Sequence, residues 1–171
     1  MKSITVRHSS SIFIGEYPDA DALKEELVPH LEKWPDDQGK ETNVKATMTP
    51  WNILSPQIDK LKQYIIGEVE EILPPNLKSL SIEWIDFWGC IYRQDEYAIS
   101  HDHVPSYLSL VYFLKSEEVY SPLVFTEDGR EVTPKEGRFV IFPGYLKHHV
   151  PKHRYNNTRM TLSGNIMVRK K

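Results

Sequence analysis

Four of the seven histidines occur in two pairs that are far apart in the chain. His101 and His103 are separated by one residue, and such residues share a face of an extended segment, so both imidazoles can reach one point. The adjacent residues His148 and His149 follow a Pro-Gly turn, and either could supply a third imidazole from the end of a strand. Neutral imidazoles suit iron, zinc, copper or nickel. The spacing therefore predicts a metal site with ligands from both pairs.

Arg159 lies eleven positions after His148, on a segment in which polar and apolar residues alternate. Thr161 and Ser163 fall on the same face of that segment. If this face turns into a barrel, the guanidinium needs an anionic partner, because an unpaired buried charge is costly. Its planar fork matches a carboxylate, and a threonine hydroxyl can add a hydrogen bond. The pattern favours a dicarboxylic acid held between the metal and Arg159; an exposed, salt-bridging arginine is the alternative.

Two helices are predicted in the first part of the chain. The first is expected to begin near Asp19 or Asp21, and the second has Ser55 as its N-cap and Pro56 as its first residue. Each helix presents an apolar stripe of the kind that packs against a sheet. The stripes are Leu23, Leu27, Leu31 and Trp34 in the first helix, and Ile58, Leu61, Ile65, Val69 and Ile72 in the second.

Strand and turn signals dominate from about residue 80 onward. The predicted strands are Ser81–Tyr92, Leu108–Leu114, Leu123–Thr126, Phe139–Phe142 and Arg159–Val168. The almost unbroken apolar run from Leu108 is expected for a strand that is buried on both faces. Many short strands after a helical front favour a mainly β (α+β) fold, in which an antiparallel double-sheet barrel carries helices on one outer face.

The composition indicates one globular domain that covers residues 1–171. A net charge of −3 gives no reason to expect nucleic acid or an anionic membrane surface as a partner. The sequence has no apolar run long enough for a membrane span and no signal-peptide core, and its single cysteine, Cys90, cannot form an internal disulfide. We therefore expect a cytoplasmic location; the oligomeric state cannot be read from the sequence.

Three ordered blocks carry a resemblance to a known superfamily. They are YRQDEYAISHDHVPSYLSLVYFL from Tyr92 to Leu114, FPGYLKHHVP from Phe142 to Pro151, and RMTLSGNI from Arg159 to Ile166. In these blocks the sequence resembles the 2-oxoglutarate- and iron(II)-dependent oxygenases, and more narrowly a group of small oxygenases found in bacteria and phages. The resemblance implies a double-stranded β-helix, which is a jelly-roll or cupin-like barrel.

Position by position, the resemblance implies that His101, His103 and His148 bind Fe(II) and form the catalytic centre. The aligned position favours His148 over His149. Most of the superfamily has an acid where this chain has His103, and here the acid is the preceding residue, Asp102. A bulge could turn Asp102 toward the metal, so it remains an alternative ligand.

The resemblance also implies a binding site for the cosubstrate. Arg159, helped by Thr161, is expected to bind the distal carboxylate of 2-oxoglutarate. Tyr92, nine residues before His101, is expected to contact the same cosubstrate. Asp95 stands where the group usually has glycine, which leaves the local turn open.

The implied activity is that of a dioxygenase of the hydroxylase type, which couples oxidative decarboxylation of 2-oxoglutarate by dioxygen to oxidation of an unknown small-molecule or peptide substrate. Two alternatives remain open: a three-histidine, cupin-type dioxygenase that uses no 2-oxoglutarate, and a non-catalytic metal- or ligand-binding barrel. Four aromatic residues could line the mouth of the barrel, although aromatic residues in barrels are usually core. They are Trp84, Trp88, Tyr107 and Tyr145.

Overall fold

The computed structural model describes residues 9–35 and 42–169, which form two α-helices, one short 3-10 helix and eleven β-strands. Helix α1 spans Ala20–Glu32, helix α2 spans Pro56–Ile72, and the 3-10 helix spans Pro75–Leu77. In chain order the strands are β1 Phe13–Glu16, β2 Val44–Lys45, β3 Thr47–Met48, β4 Ser81–Tyr92, β5 Tyr97–His101, β6 Leu108–Lys115, β7 Leu123–Phe125, β8 Arg130–Val132, β9 Arg138–Pro143, β10 His148–Val150 and β11 Arg159–Arg169.

Both predicted helices are confirmed. Ser55 caps α2, since its Oγ accepts a hydrogen bond of 3.1 Å from the backbone N–H of Ile58. Helix α1 begins after Asp19, whose side chain makes no capping hydrogen bond. It ends at Glu32, so Trp34 lies beyond the helix that was expected to include it, although it still packs partly buried against the core. Within residues 9–35 and 42–169, neither helix combines the length and apolar character that a membrane span requires.

The strands form two antiparallel sheets. The six-stranded sheet has the order β1-β9-β6-β11-β4-β3, and the five-stranded sheet has the order β2-β5-β10-β7-β8. Between the sheets lies one apolar core, and a second core lies between the six-stranded sheet and the helices. The predicted double-stranded β-helix with helices on one outer face is therefore confirmed.

Alternation along β11 divides its residues between the two cores, as the sequence predicts. Met160 and Leu162 pack with the helices, whereas Arg159, Thr161 and Ser163 line the space between the sheets. The helix–sheet core also holds the apolar stripes of both helices: Leu23, Leu27, Leu31, Ile58, Leu61, Ile65 and Val69 are buried there. The helices thus support the outer face of the strand whose inner face carries the candidate site residues.

The turn before β5 forms despite the replacement of glycine by Asp95. Asp95 adopts a φ of 67°, a left-handed conformation that favours glycine and that aspartate tolerates better than most residues. Its backbone N–H donates to the carbonyl oxygen of His153 at 2.7 Å, and its carboxylate lies 3.1 Å from Arg154. These contacts hold the turn that leads the chain into β5 and its histidine.

Candidate active site

Three imidazoles meet at one point on the inner side of the five-stranded sheet. His101 is the last residue of β5, and it is paired directly with His148, the first residue of β10; His103 follows two residues after the end of β5. The ring centroids are 4.5 Å apart for His101 and His148, 5.0 Å for His101 and His103, and 5.1 Å for His103 and His148. One nitrogen atom from each ring lies within 4.8 Å of the other two. The structure thus brings together the three histidines that the resemblance implies.

Backbone carbonyl groups determine which nitrogen two of these rings present. Nδ1 of His101 lies 2.7 Å from the carbonyl oxygen of Ile99, and Nδ1 of His148 lies 3.0 Å from that of Leu146. Because a carbonyl oxygen can only accept, each Nδ1 must carry the proton and donate it. Nε2 then keeps its lone pair, as a metal ligand requires.

His103 is held by its backbone, and the adjacent Asp102 is engaged elsewhere. The N–H of His103 donates to the carbonyl oxygen of Gly144 at 2.7 Å, and its own carbonyl oxygen accepts from the N–H of Ser106 at 2.8 Å. Oδ1 of Asp102 accepts a hydrogen bond of 3.2 Å from the backbone N–H of Val104. Asp102 is not a member of the three-residue cluster, so the geometry favours His103 over the acid as the third ligand.

His149 lies outside the cluster. It follows His148 on β10, where successive side chains point to opposite faces of the sheet. Its Nδ1 lies 3.5 Å from Oγ1 of Thr126, and it is only half-buried whereas His148 is buried. Of the two adjacent histidines only His148 belongs to the three-histidine cluster, and it remains the predicted ligand.

Burial keeps two of the imidazoles neutral. Burial, followed by the effect of the neighbouring His101, lowers the pKa of His148 to about 3, while the hydrogen bond to the Leu146 carbonyl opposes the shift. Burial, followed by the effect of His101, lowers the pKa of His103 to about 4. Since only a neutral imidazole binds a metal ion, both rings are ready to act as ligands at pH 7.

A narrow cavity connects the histidines with the six-stranded sheet. Apolar side chains form much of its wall: Val44, Ala98, Val111, Leu123 and Val150. The remaining wall comes from the inward faces of β4 and β11: Trp88, Cys90, Tyr92, Arg159, Thr161 and Ser163. All the residues that the sequence predicted for metal and cosubstrate therefore line one cavity.

Arg159 is completely buried in this space, with 0% of its surface exposed. Its Nε, Nη1 and Nη2 atoms make no hydrogen bond with any residue that the structure describes. The guanidinium carbon lies 4.8 Å from the centroid of the Tyr92 ring and 5.5 Å from that of Phe113. Burial lowers the pKa of Arg159, but a guanidinium remains charged in proteins. The exposed, salt-bridging arginine is thus excluded, and no described side chain supplies the anion that this buried cation requires.

Tyr92 and Thr161 adjoin this guanidinium. Tyr92 is the register partner of Arg159 across β4 and β11, and Thr161 lies two residues further along the same inward face. Both side chains are buried. Burial raises the pKa of Tyr92, so its phenol stays protonated and can donate a hydrogen bond to an anion. An anion beside Arg159 would therefore meet two further hydroxyl groups.

Among the four aromatic residues expected at the mouth, only Trp88 lines this cavity. Trp84 packs against the helix–sheet core, and Tyr107 and Tyr145 line a separate surface groove. Cys90 also lines the cavity, although the sequence did not lead us to expect it there. The alternation of the strand could have identified both residues, because Trp88 and Cys90 precede Tyr92 in steps of two and therefore share its face of the sheet.

Metal-binding measurements should distinguish His103 from Asp102 as the third ligand. We expect His103→Ala to weaken Zn(II) binding by at least about 100-fold, because a direct ligand is lost. Asp102→Asn should leave the affinity and the stoichiometry unchanged, since this carboxylate bonds to the Val104 N–H. Isothermal titration calorimetry measures both quantities. If Asp102→Asn lost the metal and His103→Ala retained it, the ligand would be Asp102 and not His103.

The stability of the metal-free protein should depend on pH through His148. Its pKa is about 3 in the folded protein, against 6.5 for an ordinary histidine, so the unfolded chain binds the extra proton first as the pH falls. The free energy of unfolding should therefore decrease below pH 6.5, by at most about 1.4 kcal/mol per pH unit for this residue. Urea unfolding between pH 6.5 and pH 5 should give a flatter pH profile for His148→Gln than for His149→Gln. Parallel profiles for the two variants would contradict this account.

Comparison with known proteins gives one family match. Residues 124–165 match the family described as "Putative 2OG-Fe(II) oxygenase". This segment contains His148, Arg159 and Thr161 but neither His101 nor His103. No curated protein sequence matches the chain significantly.

Several solved structures share the fold over most of the chain. A prolyl-4-hydroxylase from Pseudomonas putida is 18% identical, with a TM-score of 0.66 over 95% of this chain and 94% of that one. The viral collagen prolyl hydroxylase of Paramecium bursaria Chlorella virus-1, in a 2-oxoglutarate complex, is 14% identical, with a TM-score of 0.64 over 91% and 94%. HygX from Streptomyces hygroscopicus, with nickel and 2-oxoglutarate bound, is 9% identical, with a TM-score of 0.70 over 92% and 83%.

At these identities the structural likeness concerns the fold. The family match adds the segment that carries one histidine of the cluster and the buried arginine. Residues 124–165 thus resemble a family of 2-oxoglutarate- and Fe(II)-dependent oxygenases, and the chain shares the fold of solved structures that include prolyl hydroxylases and HygX.

Proposed function

We propose that the chain, as a single domain, is an Fe(II)- and 2-oxoglutarate-dependent dioxygenase of the hydroxylase type. One observation carries the proposal: a fully buried and unpaired guanidinium, that of Arg159, lines the same cavity as the three-imidazole cluster. A dicarboxylic keto acid satisfies both features at once, since one end can bind a metal ion and the other can pair with the arginine.

His101, His103 and His148 would hold the metal ion. Nitrogen atoms bound at about 2.1 Å to one ion lie roughly 3–3.5 Å apart, and small ring movements bring atoms that are within 4.8 Å into that range. The hydrogen bonds from Nδ1 to backbone carbonyls orient the rings of His101 and His148 for such a role. With three protein ligands, an iron ion keeps further positions for small molecules.

Arg159, Thr161 and Tyr92 would bind the distal carboxylate of 2-oxoglutarate. The arginine supplies the charge and a planar fork, and the two hydroxyl groups supply further donors. The apolar wall excludes water, which strengthens these contacts. When bound, Fe(II) supplies the chemistry in which 2-oxoglutarate and dioxygen give succinate and carbon dioxide, and the second oxygen atom passes to the substrate.

The metal ligands of this chain are all neutral. A bound Fe(II) would keep both positive charges here, whereas an aspartate ligand would cancel one of them. This uncancelled charge would favour binding of the keto-acid carboxylate. A three-histidine set also suits the cupin-type dioxygenases that use no keto acid, which makes dependence on 2-oxoglutarate the discriminating observation.

The substrate is a small molecule or a peptide. Proteins with this fold have been observed with a peptide fragment of a hypoxia inducible factor and with hygromycin B bound, which are ligands of different chemistry. A function for this chain in peptide hydroxylation rests on analogy with these folds. The metal and cosubstrate contacts do not depend on that choice.

Replacement of Arg159 should weaken cosubstrate binding without loss of metal. In Arg159→Met we expect at least tenfold weaker binding of 2-oxoglutarate to the metal-loaded protein, because the charge-assisted contact is lost. The melting temperature of the ligand-free variant should not fall, since an unpaired buried charge is removed. The control is Arg130→Met, whose guanidinium is exposed and lies 3.3 Å from Asp128.

Calorimetry, metal analysis and succinate release under Fe(II) and dioxygen provide the measurements. Unchanged affinity for 2-oxoglutarate in Arg159→Met would rule out the arginine as the carboxylate site. Iron-dependent oxidation of a substrate by the wild-type protein without 2-oxoglutarate would favour the cupin-type alternative. Metal binding with no turnover under any cosubstrate would favour the non-catalytic barrel.

A further inference from the structure

The cavity contains a second donor without a partner, the indole N–H of Trp88. Only 4% of the surface of Trp88 is exposed, and Nε1 makes no hydrogen bond with any residue in the described parts of the chain. An indole N–H can only donate, and when buried it usually has an acceptor. The indole N–H is neither one of the proposed metal ligands nor one of the proposed contacts of the distal carboxylate.

Trp88 lies near the metal cluster, on the sheet that also carries the arginine. Its ring centroid is 6.0 Å from that of His103. Its register partner on β11 is Ser163, four residues after Arg159, and its indole lies beside the thiol of Cys90. Both Trp88 and Cys90 line the cavity, and the indole nitrogen of Trp88 is buried from solvent.

The neighbouring thiol is a poor acceptor for this N–H. Burial raises the pKa of Cys90 to about 11, so the group is an uncharged thiol at neutral pH. A neutral thiol accepts hydrogen bonds weakly, and the contact does not meet hydrogen-bond geometry. A carboxylate or keto oxygen in the cavity would be a much stronger acceptor.

We propose that Trp88 is a further cosubstrate-binding residue, which donates its indole N–H to the keto-acid end of 2-oxoglutarate beside the metal histidines. The inference rests on the proposed function and adds a second point of attachment to it. Arg159 would bind the distal carboxylate and Trp88 the end near His103, so the keto acid would be held along its length. This arrangement orients the acid before it meets the metal.

Trp51 supports the ring of Trp88 and provides a matched control. The two ring centroids are 4.7 Å apart in an edge-to-face arrangement, and 48% of the surface of Trp51 is exposed. Trp51 does not line the cavity. Trp51→Phe therefore changes the packing around Trp88 but leaves the proposed donor in place.

The test uses the Zn(II)-loaded full chain and 2-oxoglutarate, with binding as the readout instead of activity. The chain has four tryptophans and hence four indole N–H signals in a proton–nitrogen NMR spectrum. The signal that disappears in Trp88→Phe is assigned to Trp88, and we expect it to shift when 2-oxoglutarate is added to the wild-type protein. We expect the dissociation constant to rise roughly tenfold in Trp88→Phe, as for loss of a hydrogen bond to a charged group. In Trp51→Phe it should stay within about twofold of the wild-type value.

A Trp88 signal that does not move at saturating 2-oxoglutarate would overturn the inference, as would an unchanged dissociation constant in Trp88→Phe. If that variant does not fold, the wild-type spectrum decides, with the Trp88 signal identified by its contacts to the His103 ring. Wild-type protein that binds 2-oxoglutarate without a Trp88 shift overturns this inference alone. Wild-type protein that binds zinc but no 2-oxoglutarate overturns the proposed function as well.

Discussion

The guanidinium of Arg159 is fully buried between the two sheets of the barrel, and its three nitrogen atoms form no hydrogen bond with a described residue. A permanent positive charge between two sheets is stable only if an anion completes its surroundings, because desolvation of a lone ion costs several kcal/mol. No described side chain supplies that anion, and the rings of Tyr92 and Phe113 cover only part of the guanidinium. The barrel therefore has a charge requirement that a bound carboxylate can satisfy.

The same topology links this cation to the metal cluster. Strand β11 lies between β4 and β6 in the six-stranded sheet, which places Arg159 on the inner wall. The facing sheet pairs β5 with β10 so that His101 and His148 are register partners, while backbone contacts hold His103 beside them. One sheet thus carries the histidines at one end of the candidate site, and the other sheet carries the arginine at its opposite end.

Periodicity explains how much of this could be predicted from the sequence. The long strands β4 and β11 show an alternation that places Tyr92, Arg159 and Thr161 on inward faces, and the apolar stripes locate both helices. The short strands have two to four residues, too few to show an alternating pattern. The unpaired indole of Trp88 was also beyond prediction, because whether a buried donor finds an acceptor depends on contacts between distant parts of the chain.

A crystal structure of the protein grown without oxygen, with Fe(II) and 2-oxoglutarate, is the most direct test of the central claim. We expect one ion bound by nitrogen atoms of His101, His103 and His148, with the distal carboxylate of the keto acid paired to the guanidinium of Arg159. An ion bound by Asp102 in place of His103, or a keto acid whose carboxylate lies away from Arg159, would contradict it.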